Sequence, residues 1–319
     1  MSVLKFAKLI NSLHQRRHII VLGSAIIDQI VEIESLPTSG ADILIRRHSS
    51  VVGGCALNVA STLRRLGFSS DNAFLVGSGL GGDQIFDFLE RRHLELCIGP
   101  VEGDNGWCIA LVEADGERTF MTFEGVENDW SVELLNGLFT VNDSLIYISG
   151  YQLASPQGVF IVRWLESLIP SIDIVIDFGP RISQLSASII SRILALQPII
   201  TVNRSEAHFL GIDGDVQNQT DEWGSSNNCP IIVRLDSDGA YYWKSDQNSG
   251  YVGAFKTDVE DTIGAGDSHA GGLLAGLSAG LGLVDAVRLG NAVASFVVGR
   301  RGGASSPDIE SLLSHIGQV

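Results

Sequence analysis

The chain has 319 residues, with 21 Lys and Arg against 37 Asp and Glu, a formal charge of −16, and 45% apolar against 18% charged residues. That composition supplies a large core and excludes a disordered chain, while the net charge repels nucleic acid and anionic membrane surfaces at long range. The four cysteines, Cys55, Cys97, Cys108 and Cys229, form no CxxC pair, so neither a disulfide framework nor a zinc site is expected, and a reducing cytoplasm is the simplest compartment.

Residues 1–18 lack the apolar run of a secretion signal and read as a surface helix. A β-branched run at 19–22, ending at Gly23, predicts a buried strand, and the alternating segments 30–34 and 43–47 predict a half-exposed antiparallel pair. Helical spacing over 57–66 is closed by Gly67 and followed by a strand at 73–76 and a helix at 84–93. Segments 108–113 and 118–123 flank Asp115-Gly116, a hairpin signal. From about residue 128, strands at 145–148, 174–176, 199–202 and 231–235 alternate with helices such as 158–168 and 186–196, which predicts parallel strands with crossover helices. Residues 213–228 are polar and read as a surface loop. The antiparallel segments break the alternation, so they predict a separate small sheet serving as a lid. The 36 glycines have no collagen period and suggest tight turns near ligands.

Two glycine clusters can carry chemistry. Asp261-Thr-Ile-Gly-Ala-Gly-Asp267 runs into helical spacing at 268–277. Glycines just ahead of a helix leave its first N–H groups open to an anion, with the helix dipole behind them. Asp267 at that mouth is placed either to take a proton from a hydroxyl attacking a bound phosphoryl group or to cap the helix, and spacing alone leaves both open. Val51-Val-Gly-Gly-Cys-Ala-Leu-Asn58 also opens a helix. Gly53 and Gly54 let a ligand approach the backbone, and Asn58 both donates and accepts hydrogen bonds, as sugar hydroxyls require. A plain glycine turn is the competing reading.

Together the two clusters resemble the signature pair of the ribokinase family, the PfkB carbohydrate kinases, and the likeness runs across nearly the whole chain. It implies a ribokinase-like three-layer α/β/α sandwich with a mostly parallel central sheet and a small β-sheet lid. Residues 1–29, 51–103 and 128–319 would form the nucleotide- and sugar-binding body, and residues 30–50 and 104–127 the lid. The implied activity is transfer of the γ-phosphoryl group of ATP to a sugar hydroxyl, with Gly264, Ala265 and Gly266 as anion hole and Asp267 as general base. Asp28, in Gly23-Ser-Ala-Ile-Ile-Asp28, matches the family's sugar-binding aspartate. Asn203-Arg-Ser-Glu206 matches an Asn-x-x-Glu motif associated with Mg2+ and phosphate through water, and Mg2+ needs few protein carboxylates. Asn291 falls where relatives contact adenine, or is a buried polar helix residue. Asp261, Ile263, Val297, Arg300, Gly302 and Ser305 fall where some members bind a monovalent cation such as K+. Asp177-Phe-Gly-Pro-Arg181 resembles an Asp-x-Asn-x-Arg segment of fructokinase-like and ketodeoxygluconate-kinase-like members, with Gly179 for the Asn. Arg181 would then neutralise the transferring phosphate.

The departures narrow the substrate. Arg234-Leu-Asp-Ser-Asp-Gly239 stands at the family's Thr-Leu-Gly-x-x-Gly nucleotide loop, so Arg234 and Gly239 are nucleotide-site candidates, with Asp236 replacing a glycine and Asp238 adding a charge. Ile26, Cys55 and Ala154 replace an Asn, a Lys and a Glu of ribokinase itself, which points away from ribose. Trp107 and Arg118, in the lid strands, are substrate-contact candidates, and such lids often pair subunits, so a homodimer is expected. Three competitors are a nucleoside kinase of the same family, a catalytically weak sugar-binding regulator, and a dinucleotide-binding oxidoreductase suggested by Gly77-Ser-Gly-Leu-Gly-Gly82. Residues 204–261 hold 4 basic against 11 acidic groups, so ATP binding should depend strongly on Mg2+.

Overall fold

The structure is a computed structural model that describes residues 3–115, 117–300 and 305–317. Gly116 of the hairpin turn and Gly302 of the expected cation loop lie outside the described residues. Twelve strands fall into two sheets: β1 Ile19–Gly23, β2 Ile26–Glu32, β3 Arg47–Gly53, β4 Asp71–Phe74, β5 Trp107–Val112, β6 Arg118–Phe123, β7 Leu145–Ser149, β8 Asp173–Asp177, β9 Ile199–Asn203, β10 Ile231–Arg234, β11 Ala240–Ser245 and β12 Asn248–Val252.

The large sheet runs β12-β11-β10-β9-β8-β7-β1-β4. Its strands from β4 to β10 are parallel, and β11 and β12 close one edge as an antiparallel hairpin. Strand period two divides the apolar residues between two cores: Ile19 and Val21 face one, Ile20 and Leu22 the other, and Tyr147 and Ile148 divide likewise. Burial on both faces explains why these strands read as unbroken β-branched runs. One core is covered by the helices Cys55–Arg65, Ala265–Ser278 and Leu283–Val298, the other by Gly158–Ser167 and Ala187–Ala195.

Some glycines expected to mark ligand turns are instead helix-packing residues. A Cβ on Gly272 would lie 2.9 Å from the Gly290 Cα, so these glycines let the helices Ala265–Ser278 and Leu283–Val298 approach closely. Two other local readings change. Residues 213–228 contain the helix Val216–Asn227, capped by the Asp215 side chain, and Gly224 of that helix sits against the Trp243 ring. The N-terminal helix Val3–Asn11 is only half at the surface, because Phe6 and Ile10 are buried. No described helix is long and apolar enough to cross a membrane.

The small sheet has the order β3-β2-β5-β6. Its strands begin earlier and end later than the segment 30–50, so Asp28 and Gly53 stand on its strands β2 and β3, and not in the body. The carboxyl ends of β8, β9 and β10 bring Asp177, Asn203 and Arg234 to one edge of the large sheet, where ligands of open α/β sheets bind.

Candidate active site

Gly264 caps the helix Ala265–Ser278 with φ +74°, a left-handed conformation that glycine adopts without a Cβ penalty. No side chain caps this end. The Ala265 amide reaches the Thr262 carbonyl at 3.3 Å and the Ser268 amide the Gly264 carbonyl at 2.8 Å, while those of Gly266 and Asp267 find no backbone acceptor among the described residues. Open amides at a helix N-terminus form an anion site. Asp267 stands in the first turn, yet its carboxylate is turned away from capping: the Asn58 side-chain amide donates to its Oδ2 at 2.7 Å. The capping alternative is thereby removed. Burial pushes the Asp267 carboxyl up to about 6, with Asp177 adding to the rise and Asn58 and Arg234 opposing it.

Asp28 faces the same space. Burial, then the Asp267 charge, raises its carboxyl to about 6 as well. A Cβ on Gly53 would collide with the Asp28 carboxylate, and Gly54, at φ +114°, has no room for one beside the Ser24 carbonyl. The glycine pair is therefore a steric requirement of the site. Cys55 follows it, its thiol pushed up by burial and by the Asp267 charge.

Register decides the lid residues. Asp28 pairs with Cys108, and Cys108 with Thr122, so these three point to one face. Trp107 pairs with Ile27 and Phe123 and points to the other, stacked on Phe123 at 5.7 Å between ring centroids and 41% exposed. The structure does not bring Trp107 to Asp28. Arg118 reaches from β6 to Asp261, ahead of the anion-hole turn, with Nη2 donating to Oδ1 at 3.0 Å. Arg181 donates to Glu124, just past β6, at 2.9 Å and stands over the Tyr151 ring. Both arginines bind the lid sheet to the body.

The edge of the large sheet is a charge network. Arg234 Nη1 donates to Asp177 Oδ2 at 2.7 Å and to Thr201 Oγ1 at 3.2 Å, and Nη2 to Asp177 Oδ1 at 3.2 Å and Glu206 Oε2 at 3.3 Å. Glu206 and Asn203 form a reciprocal capping box: the Asn203 backbone amide donates to Glu206 Oε2 at 2.8 Å and the Glu206 amide to Asn203 Oδ1 at 2.8 Å. The Asn203 Nδ2 adds a bond to Glu206 Oε1 at 2.9 Å. Burial, with Asp177 adding, raises the Glu206 carboxyl. Its lone pairs are largely committed to Asn203 and Arg234, which leaves little for direct coordination of a metal. Among the described residues no three His, Cys, Asp or Glu side chains form a metal-binding cluster. Hard oxygen donors with few protein ligands fit a Mg2+ that arrives on a nucleotide.

In the loop 234–239, Asp236 adopts φ +55°, a left-handed conformation that glycine favours and that Asp tolerates better than most residues. Arg204 pairs with Asp238 at 2.8 Å and Asp236 at 3.7 Å, so the added acidity is locally compensated. Gly239, at φ +95°, packs on the Val252 carbonyl. Asn291 is buried, and its amide donates to the Val252 and Gly253 carbonyls at 2.9 and 3.2 Å. In the expected cation loop the Asp261 carboxylate also accepts the Ile263 amide at 3.0 Å, Arg300 lies over the Phe296 ring, and the buried Ser305 hydroxyl has no partner among the described residues. The Val297 carbonyl accepts the Arg300 amide at 3.0 Å.

The dinucleotide reading fails on geometry. The N-terminus of the helix Leu80–Arg92, where a pyrophosphate would sit, is filled by the Asp104 carboxylate, which accepts from Gly82 at 2.9 Å and Gly81 at 3.2 Å. Despite its partial burial, these amides and that of Asn105 lower the Asp104 carboxyl. Spacing missed Thr201, which accepts from Arg234, and Tyr147, whose buried hydroxyl has no partner among the described residues, and it marked Asp177 only within the 177–181 motif. For Asp177 a signal was present, its place at the carboxyl end of a parallel strand.

A doubly covered parallel sheet, a four-stranded lid and two glycine turns facing one acidic cleft define a ribokinase-like phosphotransferase. Residues 16–310 match the pfkB family of carbohydrate kinases, and the chain belongs to that family, whose members phosphorylate a sugar hydroxyl with ATP. It is 47% identical over 317 residues, 98% of both chains, to the uncharacterized sugar kinase YegV of Escherichia coli (strain K12). Its fold matches ribokinase from Thermotoga maritima with a TM-score of 0.81 at 19% identity, covering 95% of this chain and 100% of the other. Arabidopsis thaliana ribokinase, complexed with ribose and ATP, matches at 0.76 and 20% identity over 94% and 98%.

Proposed function

We propose that this kinase transfers the γ-phosphoryl group of ATP to a hydroxyl of a sugar other than ribose, with Asp267 as the base. The observation that carries the reading is the Asp267 carboxylate, held by Asn58 beside the open amides of its own helix and raised to about 6. A base of that strength is ionised at neutral pH and still able to hold a proton. The sugar would lie against Asp28, Gly54 and Asn58. Its hydroxyl proton passes to Asp267, the freed oxygen bonds to the γ-phosphorus, the bond to ADP breaks, and the Gly264–Gly266 turn stabilises the charge on the transferring group. Mg2+ brought by the nucleotide would neutralise phosphate charge, with Glu206 and Asn203 reaching it through water. Asn291 and Gly239 would border the nucleotide, with Arg234 at the edge of its site.

A ketose or a keto-sugar acid is favoured by Arg181 and the likeness of 177–181 to fructokinase-like and ketodeoxygluconate-kinase-like members, while Ile26, Cys55 and Ala154 offer no ribose-type polar set. A K+ ion held by the segments around Asp261, Ile263, Val297, Arg300 and Ser305 is part of this reading, with the buried Ser305 hydroxyl offering an oxygen and Arg118 already paired with Asp261. A body of 1–29, 51–103 and 128–319 under a lid of 30–50 and 104–127 is part of this reading, with the lid strands extending to Asp28 and Gly53. The exposed Trp107, Met121 and Phe123 share the lid face opposite Asp28 and support a homodimer through that face. Four free cysteines suit a cytoplasmic setting.

The test is ADP release over a panel of sugars, sugar acids and nucleosides, repeated with Asp267→Asn. Turnover of a sugar that the variant loses supports the assignment. Equal turnover by the variant removes Asp267 as base, and sugar binding without any ADP release favours a regulatory protein. Turnover of a nucleoside alone moves the substrate class.

A further inference from the structure

Four carboxylates, Asp28, Asp177, Glu206 and Asp267, act on one another around the place where the kinase reading puts a phosphoryl group, and the charge of each opposes it. One buried guanidinium stands among them. The Arg234 side chain is 13% exposed, against 9% for Asp177 and 6% for Glu206. Its four Nη hydrogens match four acceptor contacts, two on Asp177 and one each on Thr201 and Glu206. On its remaining side, Cζ, Nη1 and Nη2 all lie 3.6 Å from where a Gly266 Cβ would stand. Equal distances mean that the flat face of the guanidinium is laid against the anion-hole turn.

We infer that Arg234 is a positioning residue of phosphoryl transfer, a fixed cation behind the Gly264–Gly266 turn that cancels Asp177 and Glu206 and keeps the field of the hole positive. It does not grip the phosphoryl group, since its fork is already occupied. Stability alone is a weak reason for such a group, because buried ion pairs can often be replaced by apolar side chains of similar volume without loss. Its place, tied to the sheet edge and pressed on the hole, gives a functional reason: charge near a developing anion acts most strongly when it is preorganised and dry. The planar fork also explains arginine over lysine, because one guanidinium spans the Asp177 carboxylate at the end of β8 and the Glu206 carboxylate in the helix Arg204–His208 after β9.

The inference rests on the kinase reading, and its test separates the two by titrating with Mg·ADP alone and with Mg·ADP plus aluminium fluoride, a mimic of the transferring phosphoryl group. The wild type is expected to bind Mg·ADP, and aluminium fluoride to tighten that binding on the order of 100-fold. In Arg234→Met the tightening by aluminium fluoride falls at least about tenfold, beyond any change in the affinity for Mg·ADP alone. Arg234→Lys recovers part of it, and Arg234→Met combined with Asp177→Asn recovers part as well, because cation and anion leave together. A merely structural arginine would lower the melting temperature and leave the tightening intact, and that result in a folded Arg234→Met overturns the inference. If Arg234→Met does not fold, Arg234→Lys decides: tightening kept with the charge supports the fixed cation, and tightening lost refutes it. A wild type that does not bind Mg·ADP refutes the kinase reading itself. One that binds Mg·ADP without any response to aluminium fluoride overturns the hole and the role of Arg234 with it.

Discussion

At the carboxyl ends of β8, β9 and β10, Asp177, Glu206 and Arg234 hold one another, and Asn203 fixes Glu206 through three hydrogen bonds. The small sheet is built differently. It exposes Trp107, Phe120, Met121 and Phe123, and is tied to the body through Arg118–Asp261 and Arg181–Glu124, whose side chains remain 12% to 44% exposed. Exposed ion pairs contribute roughly 0 to 1 kcal/mol each, whereas breaking a buried one costs about 3 to 5 kcal/mol. The floor is over-determined and the lid is held weakly, as expected where chemistry needs fixed charges and access needs a moving cover.

The largest expected effect is on the floor. Asp267→Asn should lower kcat for the substrate found by the panel by about 100- to 10,000-fold, with a small change in sugar affinity. An undiminished kcat would place the base elsewhere. Next comes Gly54→Ala, which forces an L-residue to φ +114° with its Cβ 2.5 Å from the Ser24 carbonyl oxygen. It should cost about 1 to 3 kcal/mol of stability and most of the sugar-dependent activity, read from thermal unfolding and ADP release. A variant as stable and active as the wild type would show that this turn tolerates a side chain.

Protonation sharpens the comparison because Asp28, on the lid sheet, and Asp267, on the floor, are both raised to about 6. Activity needs the ionised base, so kcat/KM should fall about tenfold per pH unit below about 6. Stability runs the other way. A carboxyl with a raised pKa holds its proton more tightly in the folded chain, so its contribution is present at low pH and is lost as pH rises through about 6. Asp28→Asn should therefore raise the melting temperature above pH 6 by a few degrees, about 2 to 6 °C, and have little effect near pH 4. A melting temperature that drops at pH 8 would contradict that sign.

The smallest effect belongs to the lid. Glu124→Gln releases Arg181 from β6 and should leave stability within about 0.5 kcal/mol while raising ATP hydrolysis without sugar a few-fold, because water enters a less tightly closed site. No change in that hydrolysis would mean that Arg181–Glu124 does not control closure.

Much of the floor was legible because its chemistry sits in short motifs. Gly53, Gly54 and Asn58 lie within one turn, as do Gly264, Gly266 and Asp267, and glycine before a helix has few other uses. The network around Arg234 was not legible. Its partners Asp177 and Glu206 are 57 and 28 residues away, one ending β8 and the other in the helix that follows β9. The face of Trp107 follows from strand parity once Asp28 is known to pair with Cys108, and nothing local reveals that register. The helix Val216–Asn227 did leave a trace, an Asp215 cap, but its polar face masked the burial of Thr220 and Gly224.

By itself, the sequence determined most of the strand and helix order up to residue 235, the two glycine turns and the acids beside them, because backbone preference and strand period act over a few residues. Only the tertiary structure decided which charges meet: Arg234 under the anion hole, Arg118 and Arg181 on the lid, and Asp104 across the helix that the GxGxxG match had offered to a dinucleotide. The physical reason is that ion pairs depend on which strands are neighbours and which way each side chain faces, and both are set by packing two cores against one sheet.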